Sequence, residues 1–148
     1  MICELEYKDF EIASRVLWLS FYHAEKNNHS MTGMEHFRDL TSPVSLSMNS
    51  MDPELSFYGY FQSGELLAVG ALKGSGHILL LYVHPDHSGK GIGSALLEYM
   101  EEQCSADTLT VNSSDEAVSF YEKHGYTRAG ERVIREELIH TPMNKCRK

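Results

Sequence analysis

The fold is decided by the stretch Val83-His84-Pro85-Asp86-His87-Ser88-Gly89-Lys90-Gly91-Ile92-Gly93. It follows the apolar run 77–83, whose length and composition are typical of a strand buried on both faces. After it, helical spacing is kept by Ile92, Ala95, Leu96, Tyr99, Met100 and Gln103. A strand, a glycine-rich turn and a helix in this order bring backbone N–H groups together at a helix N-terminus. Such an arrangement favours a bound phosphate.

Two common nucleotide-binding patterns do not fit this turn. A P-loop built on Lys90 needs a glycine at position 84 and a serine or threonine at position 91, where the chain has His84 and Gly91. A dinucleotide fingerprint that starts at Gly89 needs a third glycine at position 94, which is Ser94. The turn by itself therefore predicts a phosphate without identifying the ligand.

The rest of the chain alternates between strands and helices. Residues 2–7 are predicted to form a strand, and one helix begins near Asp9 as its N-cap, with a second after Thr32. Residues 41–53 are interpreted as a loop, and a hairpin turn at 62–65 joins strands at 55–61 and 66–72. Beyond the central helix we expect a strand at 108–111, a helix opened by a capping box of Ser113 and Glu116, and strands at 126–133 and 138–142. This order predicts a mixed α/β or α+β fold.

Composition limits the classes of function. The chain has 148 residues, which suits a single domain, 1–148. A net charge of −8 disfavours binding to nucleic acid, because phosphate backbones repel an acidic surface, and it is compatible with a cationic substrate. No apolar run is long enough to span a membrane, and no signal peptide is visible. Three scattered cysteines do not form a disulfide framework, so we expect a cytoplasmic protein.

Two separated motifs resemble the GCN5-related N-acetyltransferase family (GNAT). Residues 83–93, followed by Ala95, resemble the family's acetyl-CoA signature, Arg/Gln-x-x-Gly-x-Gly/Ala after a Val-x-Pro strand end. Residues 114–126 resemble its later segment Asn-x-x-Ala-x-x-Phe-Tyr-x-Lys-x-Gly-Phe. The chain departs from both patterns, with Ser88 in place of arginine or glutamine and Ser114 in place of asparagine. Ser88 keeps a main-chain donor but lacks the long side chain that would brace the loop.

The resemblance implies a mostly antiparallel sheet of about seven strands, splayed between strands 4 and 5 and flanked by about four helices. It also implies that the pantetheine arm of acetyl-CoA pairs with the first splayed strand and that its pyrophosphate lies over the glycine turn. The cofactor-binding residues expected on this basis are Leu81, Tyr82, Val83, Ser88, Gly89, Lys90, Gly91, Ile92, Gly93, Ser94, Ser114 and Tyr121. Lys90 is also interpretable as a solvated surface lysine.

Tyr121 matches the family's tyrosine that protonates the leaving thiolate, and the resemblance implies this catalytic role. A core aromatic is the alternative, since Tyr121 shares the apolar helix face of Ala117 and Phe120. The general base stays open among Tyr82, His77 and Glu54. His84 and His87 lie in a turn without further ligands of suitable spacing, so we expect an exposed turn and no metal site.

The implied reaction is direct attack of an amine on the acetyl thioester in a ternary complex. We expect a small-molecule primary amine as acceptor and no membrane partner, with a homodimer as one option for the assembly. One or two aromatic side chains are expected to line the acceptor pocket, drawn from Trp18, Phe21, Tyr22, Tyr58 and Tyr60. Two alternatives stay open: an acyl-CoA-binding sensor without turnover, and an acetyltransferase that acts on a protein amine.

Overall fold

A computed structural model describes residues 1–27, 29–135 and 138–147. The strands are β1 (Ile2–Glu4), β2 (Leu55–Gln62), β3 (Glu65–Lys73), β4 (His77–Val83), β5 (Thr108–Ser113), β6 (Thr127–Arg128), β7 (Val133–Arg135) and β8 (Leu138–Cys146). The helices are α1 (Phe10–Glu25), α2 (Met31–Leu40), α3 (Pro43–Asn49), α4 (Ile92–Glu102) and α5 (Val118–Lys123). The described residues thus form eight strands and five helices, one more of each than the approximate numbers expected.

One sheet runs through the molecule in the order β1-β2-β3-β4-β5-β8-β6, and β7 pairs with β8 beside it. Every pairing is antiparallel except that of β4 with β5. The predicted hairpin between β2 and β3 is confirmed. Its two turn residues, Ser63 and Gly64, have φ values of 52° and 80°, which match the right-handed twist of the strands they join. The mixed, mostly antiparallel fold class is therefore confirmed.

The parallel pairing of β4 with β5 is very short. Only His77 with Thr110 and Ile78 with Val111 are paired, and the strands then separate. The prediction that β4 is buried on both faces is wrong for this reason. Ile78 is buried, but Leu79 is 41% exposed and the remainder of the strand is half-buried. Past the second pair, one edge of β4 borders a cleft instead of another strand.

The helices cover the two faces of the sheet. On one face, α1, α2 and α3 pack through Phe10, Leu17, Phe21, Phe37 and Leu46 against the sheet residues Phe57, Val69 and Ala71. On the other face, α4 and α5 bury Leu96, Met100, Val118 and Tyr121 against Leu67, Leu109 and Val111. Of the stripe predicted for α4, Ile92, Leu96 and Met100 are buried and Ala95 and Tyr99 are half-buried, but Gln103 is exposed at the C-cap, and Leu97 is buried in addition. The cleft opens between these two apolar layers.

Two local predictions are wrong. Residues 43–49 form helix α3 and not a loop, because Ser42 accepts a hydrogen bond from the Ser45 N–H (3.2 Å), Pro43 begins the first turn and Leu46 is buried. Ser113 does not cap the next helix. It is the last residue of β5, and its hydroxyl donates to the Ser114 carbonyl at 2.8 Å.

The chain ends of the sheet also differ from expectation. β1 stops at Glu4, and a single 3₁₀ turn precedes α1, in which the Asp9 side chain accepts from the Glu6 N–H at 2.9 Å. The single strand expected at 126–133 is replaced by the two short strands β6 and β7, and β8 extends to Cys146. β8 pairs with β5, β6 and β7, so it joins the end of the chain to the sheet beside β5.

We expect Gly76→Ala to be strongly destabilising. Gly76 precedes β4 with a φ of +103°, and an added Cβ would lie 2.6 Å from the Thr108 carbonyl oxygen. The left-handed conformation and the clash together should lower the free energy of unfolding by about 3 kcal/mol. Gly64→Ala is the control, because Gly64 has a φ of +80° and no atom within 4 Å of the added Cβ. It should cost about 1–2 kcal/mol in urea denaturation. Equal losses for the two variants would contradict this account of the β4–β5 junction.

Candidate active site

The glycine turn leads into α4 through two residues in the left-handed conformation. Gly89 and Gly91 have φ values of +78° and +80°, and a Cβ at either position would meet no protein atom within 4 Å. Gly91 is the N-cap of α4, so the first N–H groups of this eleven-residue helix have no partner within the helix. The turn is therefore a cradle of backbone donors with the positive end of a helix dipole behind it.

Ser88 and Lys90, the two residues of the turn whose side chains were predicted to contact the cofactor, are exposed. Ser88 directs its hydroxyl (3.1 Å) and its N–H (3.5 Å) to the Pro85 carbonyl, so both donors serve the turn itself. Lys90 is exposed, and its Nζ lies 3.4 Å from Nδ1 of His87. Contact of either residue with a ligand stays a prediction.

One edge of β4 faces the cleft with its backbone groups. The His84 N–H donates to the Leu67 carbonyl of β3 at 2.7 Å. Every second amide of β4, counted back from His84, therefore points toward β3. Because neighbouring residues of a strand turn their amides to opposite edges, Leu81 and Val83 present theirs to the cleft. The Val83 carbonyl accepts a hydrogen bond from Ser20 Oγ of α1 at 2.7 Å, so α1 holds the end of this edge.

The cleft has a volume of about 250 Å³ and lies between β4, β5, α5 and the end of α1. Half of the twelve predicted site residues line it, namely Leu81, Tyr82, Val83, Gly93, Ser114 and Tyr121. The other six belong to the turn and the start of α4: Ser88, Gly89, Lys90, Gly91, Ile92 and Ser94. Ile92 is 4% exposed with its side chain in the core, so it offers only its backbone. The structure therefore arranges the predicted residues as a cleft with a glycine turn next to it.

Tyr121 is both a core residue and a cleft residue. Its ring packs 5.4 Å from that of Tyr126 and 5.2 Å from that of Phe120, and the side chain is 4% exposed. Burial raises the pKa of its phenol well above the ordinary value, so the hydroxyl keeps its proton at neutral pH. The two interpretations of this tyrosine are thus compatible in the structure.

The three candidates for the general base lie in different places. Glu54 is exposed next to Gly74, outside the cleft. His77 lies at the base of β4, where its Nδ1 is 2.7 Å from Thr110 Oγ1. Tyr82 lines the cleft, but burial, followed by the charge of Glu25, raises the pKa of its phenol far above neutrality. Only Tyr82 therefore lies in the cleft, and its high pKa does not suit a base.

A second cavity, of about 190 Å³, adjoins the cleft on the side of α2 and β8 and is called the acceptor-side cavity below. The two cavities share Glu25, Leu79, Leu80, Tyr82, Asn112 and Ser114. Of the five aromatic side chains considered for an acceptor pocket, Phe21 lines this cavity. Trp18 stacks on Tyr22 and Arg38, and Tyr58 packs against Tyr99 in the core. Tyr60 lies on β2, opposite Ile2 of β1.

Sequence reasoning missed Glu25 and His29. Both side chains are almost fully buried, with Nδ1 of His29 lying 3.6 Å from Oε1 of Glu25. A signal was available, because Glu25 continues the apolar stripe of Phe10, Leu17 and Phe21 on α1. A carboxylate on the buried face of a helix is unusual and indicates a specific role or partner.

Neither a metal site nor a membrane span is seen in the part of the chain that the structure describes. Within residues 1–27, 29–135 and 138–147, no three His, Cys, Asp or Glu side chains group closely enough to hold a metal ion. His84 accepts from the Asp86 N–H at 3.2 Å, within its own turn. Over the same residues, every helix is too short or too polar to cross a bilayer.

The chain was compared with family models and with curated proteins. A family model described as an acetyltransferase (GNAT) domain matches residues 25–147. The UPF0157 protein YqkA of Bacillus subtilis is 28% identical over an alignment of 138 positions, which covers 87% of this chain and 38% of that protein. S-(2-succino)cysteine N-acetyltransferase of Bacillus subtilis is 36% identical over an alignment of 77 positions, which covers 47% of this chain and 47% of that protein. The chain thus spans less than half the length of these curated relatives.

Solved structures share the fold over nearly the whole chain. A GCN5-related N-acetyltransferase from Rhodopseudomonas palustris superposes with a TM-score of 0.88 at 24% identity, covering 99% of this chain and 94% of that one. PaiA N-acetyltransferase from Thermoplasma acidophilum, solved in complex with coenzyme A, gives 0.81 at 22% identity, covering 99% and 98%.

We expect Gly91→Ala to weaken the binding of coenzyme A about tenfold, because the new methyl group would enter the cradle of donors. Gly64→Ala is a matched control, since both glycines have a φ of +80° and no atom within 4 Å of an added Cβ. The two variants should lose similar stability, and only Gly91→Ala should raise the dissociation constant measured by calorimetry. Equal affinities in the two variants would exclude the turn as the phosphate site.

Proposed function

The chain belongs to the GNAT acetyltransferase family, and we propose that residues 1–148, as one domain, transfer the acetyl group of acetyl-CoA to the primary amine of a small molecule. The observation that carries this proposal is the free edge of β4, which borders a cleft next to the glycine turn of α4. The glycine turn, the unpaired amides of β4 and the cleft lie next to one another. They match the pyrophosphate, the pantetheine arm and the thioester end of acetyl-CoA, which follow one another in the same order.

The residues present fit acetyl-CoA on chemical grounds. Backbone donors from Gly89 to Ser94 suit a pyrophosphate, since they lie at a helix N-terminus and the space beside Gly89 and Gly91 is open. The amides of Leu81 and Val83 suit the two amide groups of a pantetheine arm, which would add to β4 as a further strand. Ser114 and Phe120 border the same cleft from the opposite side. When bound, acetyl-CoA supplies an activated acetyl thioester.

Catalysis by this chain rests mainly on holding two reactants in one cleft. Positioning alone accounts for a large part of the acceleration of a bimolecular acyl transfer. The cleft-facing amides of β4 near Val83 are suited to stabilise the oxyanion that develops on the acetyl oxygen. Tyr121 lines the cleft and stays protonated, so its hydroxyl is suited to give a proton to the departing sulfur.

A small acceptor suits the size of the site. The acceptor-side cavity is lined by α1, α2, β4, β5 and β8 and measures about 190 Å³. The relative named S-(2-succino)cysteine N-acetyltransferase is named for a small amine-bearing substrate, which supports the same class of acceptor.

We expect the protein to release thiol from acetyl-CoA only when a primary amine is present. The measurement is thiol release across a panel of small amines, with the acetylated product identified by mass spectrometry. Peptides with a free N-terminus are the control for a protein acceptor. If coenzyme A raises the melting temperature but no thiol is released, the result would contradict the transferase and indicate a sensor. If coenzyme A does not raise the melting temperature, the proposed donor site is excluded as well.

We expect Tyr121→Phe to lower kcat by about 10–100-fold while leaving the affinity for coenzyme A nearly unchanged. Since burial raises the pKa of this phenol, the wild-type rate should show no decline from Tyr121 ionisation up to pH 9. Tyr126→Phe is the control, because that hydroxyl donates to Glu101 Oε2 at 2.6 Å. It should reduce stability by about 1–3 kcal/mol and spare kcat. An unchanged kcat in Tyr121→Phe would leave the residue as a core aromatic.

A further inference from the structure

Three neutral polar side chains that line the acceptor-side cavity have no hydrogen-bond partner among the residues that the structure describes. They are Asn112, Ser114 and His140. Other polar groups of the same cavity are used within the protein. The Thr41 hydroxyl donates to the Phe37 carbonyl at 2.8 Å, and Nε2 of His29 accepts from the Ile139 N–H at 3.0 Å. Free polar groups on the wall of a largely apolar cavity are the ones that can orient a ligand.

The three free side chains lie on one face of the sheet. Val111 of β5 packs in the core under α4 and α5, so the next residue, Asn112, faces the side of the sheet that carries α1 and α2. Asn112 is opposite Pro142 of β8. Ser114 follows Asn112 by two residues in extended backbone, and His140 precedes Pro142 by two residues within β8. The alternation of side chains therefore brings all three to the same surface.

Asn112 lies where the two cavities meet. It directly follows Val111, the last residue of β5 that pairs with β4, and it lines both the cleft and the acceptor-side cavity. In the proposed reaction, the thioester reaches this junction from the cleft and the amine reaches it from the other side. A group of the acceptor that binds Asn112 is therefore close to the nitrogen that is acetylated.

The charge behind these side chains is positive. Arg135 of β7 is exposed and pairs with Leu138, which lines the cavity. Burial, and then the charge of Arg135, lowers the pKa of His140, so its ring is neutral at pH 7 and can donate one hydrogen bond. Among the described residues that line this cavity, the only carboxylate is Glu25, which lies on α1 beside His29. Neutral donors with a cation behind them suit an anionic oxygen ligand.

We propose that Asn112, Ser114 and His140 bind a carboxylate of the acceptor next to its amine, which makes the acceptor class an α-amino acid. This inference rests on the proposed acetyl transfer and names its substrate class. The amide of Asn112 and the hydroxyl of Ser114 donate to the carboxylate oxygens, and Arg135 adds its charge from behind His140. The apolar walls receive the side chain of the amino acid; they include Phe21, Phe37, Leu40, Leu80 and Leu138.

The first test measures binding without turnover, with three probes that share one carbon skeleton. Leucine has a carboxylate, leucinamide has an uncharged carboxamide in its place, and 3-methylbutylamine has neither. At pH 6.5 all three amines are protonated, so only the second group differs. With coenzyme A present, calorimetry should show that the wild type binds leucine at least tenfold more tightly than 3-methylbutylamine, with leucinamide between them. The matching sets built on alanine and phenylalanine are measured as well, and the order is read from the set that binds best.

The second test changes the proposed ligand-binding side chain. Asn112→Ala should weaken the binding of leucine about tenfold and leave that of 3-methylbutylamine unchanged. Asn112→Asp keeps the shape and adds a negative charge, so it should bind leucine more weakly than Asn112→Ala does and 3-methylbutylamine more tightly than the wild type does. Asn144→Ala is the control, because Asn144 is opposite Thr110 on the same face of the sheet and lines neither cavity.

Two further measurements separate charge from hydrogen bonding and binding from chemistry. Arg135→Gln should weaken the binding of leucine about threefold and leave that of leucinamide unchanged, because only leucine carries the negative charge. In turnover with acetyl-CoA, Asn112→Ala should raise the KM for leucine about tenfold while kcat stays within about twofold. Such a split is expected when a contact is the same in the ground state and the transition state.

The outcomes separate this inference from the proposed function. Equal binding within every set of probes, or no binding in any set, overturns the carboxylate subsite whether or not the protein is active. Tighter binding of leucinamide than of leucine also overturns it and indicates the N-terminus of a peptide. If leucine binds as expected but no amine gives thiol release, the proposed acetyl transfer is wrong and the subsite stands. An unchanged affinity for leucine in Asn112→Ala contradicts the role of this residue, and if the variants do not fold, the three probes on the wild type still decide.

Discussion

β4 and β5 pair in parallel over only two residue pairs. Both cavities exist because the strands separate after these two pairs. The contact is held by backbone pairing and by the 2.7 Å hydrogen bond between His77 and Thr110. Burial, and then Lys73, lowers the pKa of His77, so its ring stays neutral at pH 7 and keeps this bond. A longer ladder would use the amides of Leu81 and Val83 within the sheet. Because the ladder stops, the same amides are available to a ligand.

The strands that separate are held from outside the sheet. Ser20 of α1 donates to the Val83 carbonyl, which fixes the far end of β4. On the other side, Glu101 of α4 accepts from Tyr126 and from Lys145 of β8, at 2.6 and 3.1 Å, and so ties β8 to the helix that follows the glycine turn. The end of β4 and the strand β8 are thus each held to a helix by their own hydrogen bonds.

The glycine turn and the helix after it could be predicted from the sequence because the information for them is local. The glycine turn, the strand before it and the helix after it are contiguous, and glycines with positive φ are needed at Gly89 and Gly91. The acceptor side could not be predicted in the same way. Glu25 and His29 lie four residues apart, but His29 meets Ile139 only through the packing of the loop between α1 and α2 against β8, 110 residues later. Helix α3 was missed because a serine cap and a proline are also frequent in loops.

The hydrogen bond from Ile139 to His29 joins residues 110 positions apart, and β8 pairs with β5 across about thirty residues. Contacts of such long sequence separation form slowly, because a large loop must close before they are made. The glycine turn, by contrast, depends on neighbours within the β4–α4 unit. We therefore expect the folding chain to form the glycine turn early and the contact of His29 with β8 late, so that a partly folded molecule has the turn before the acceptor-side cavity is closed.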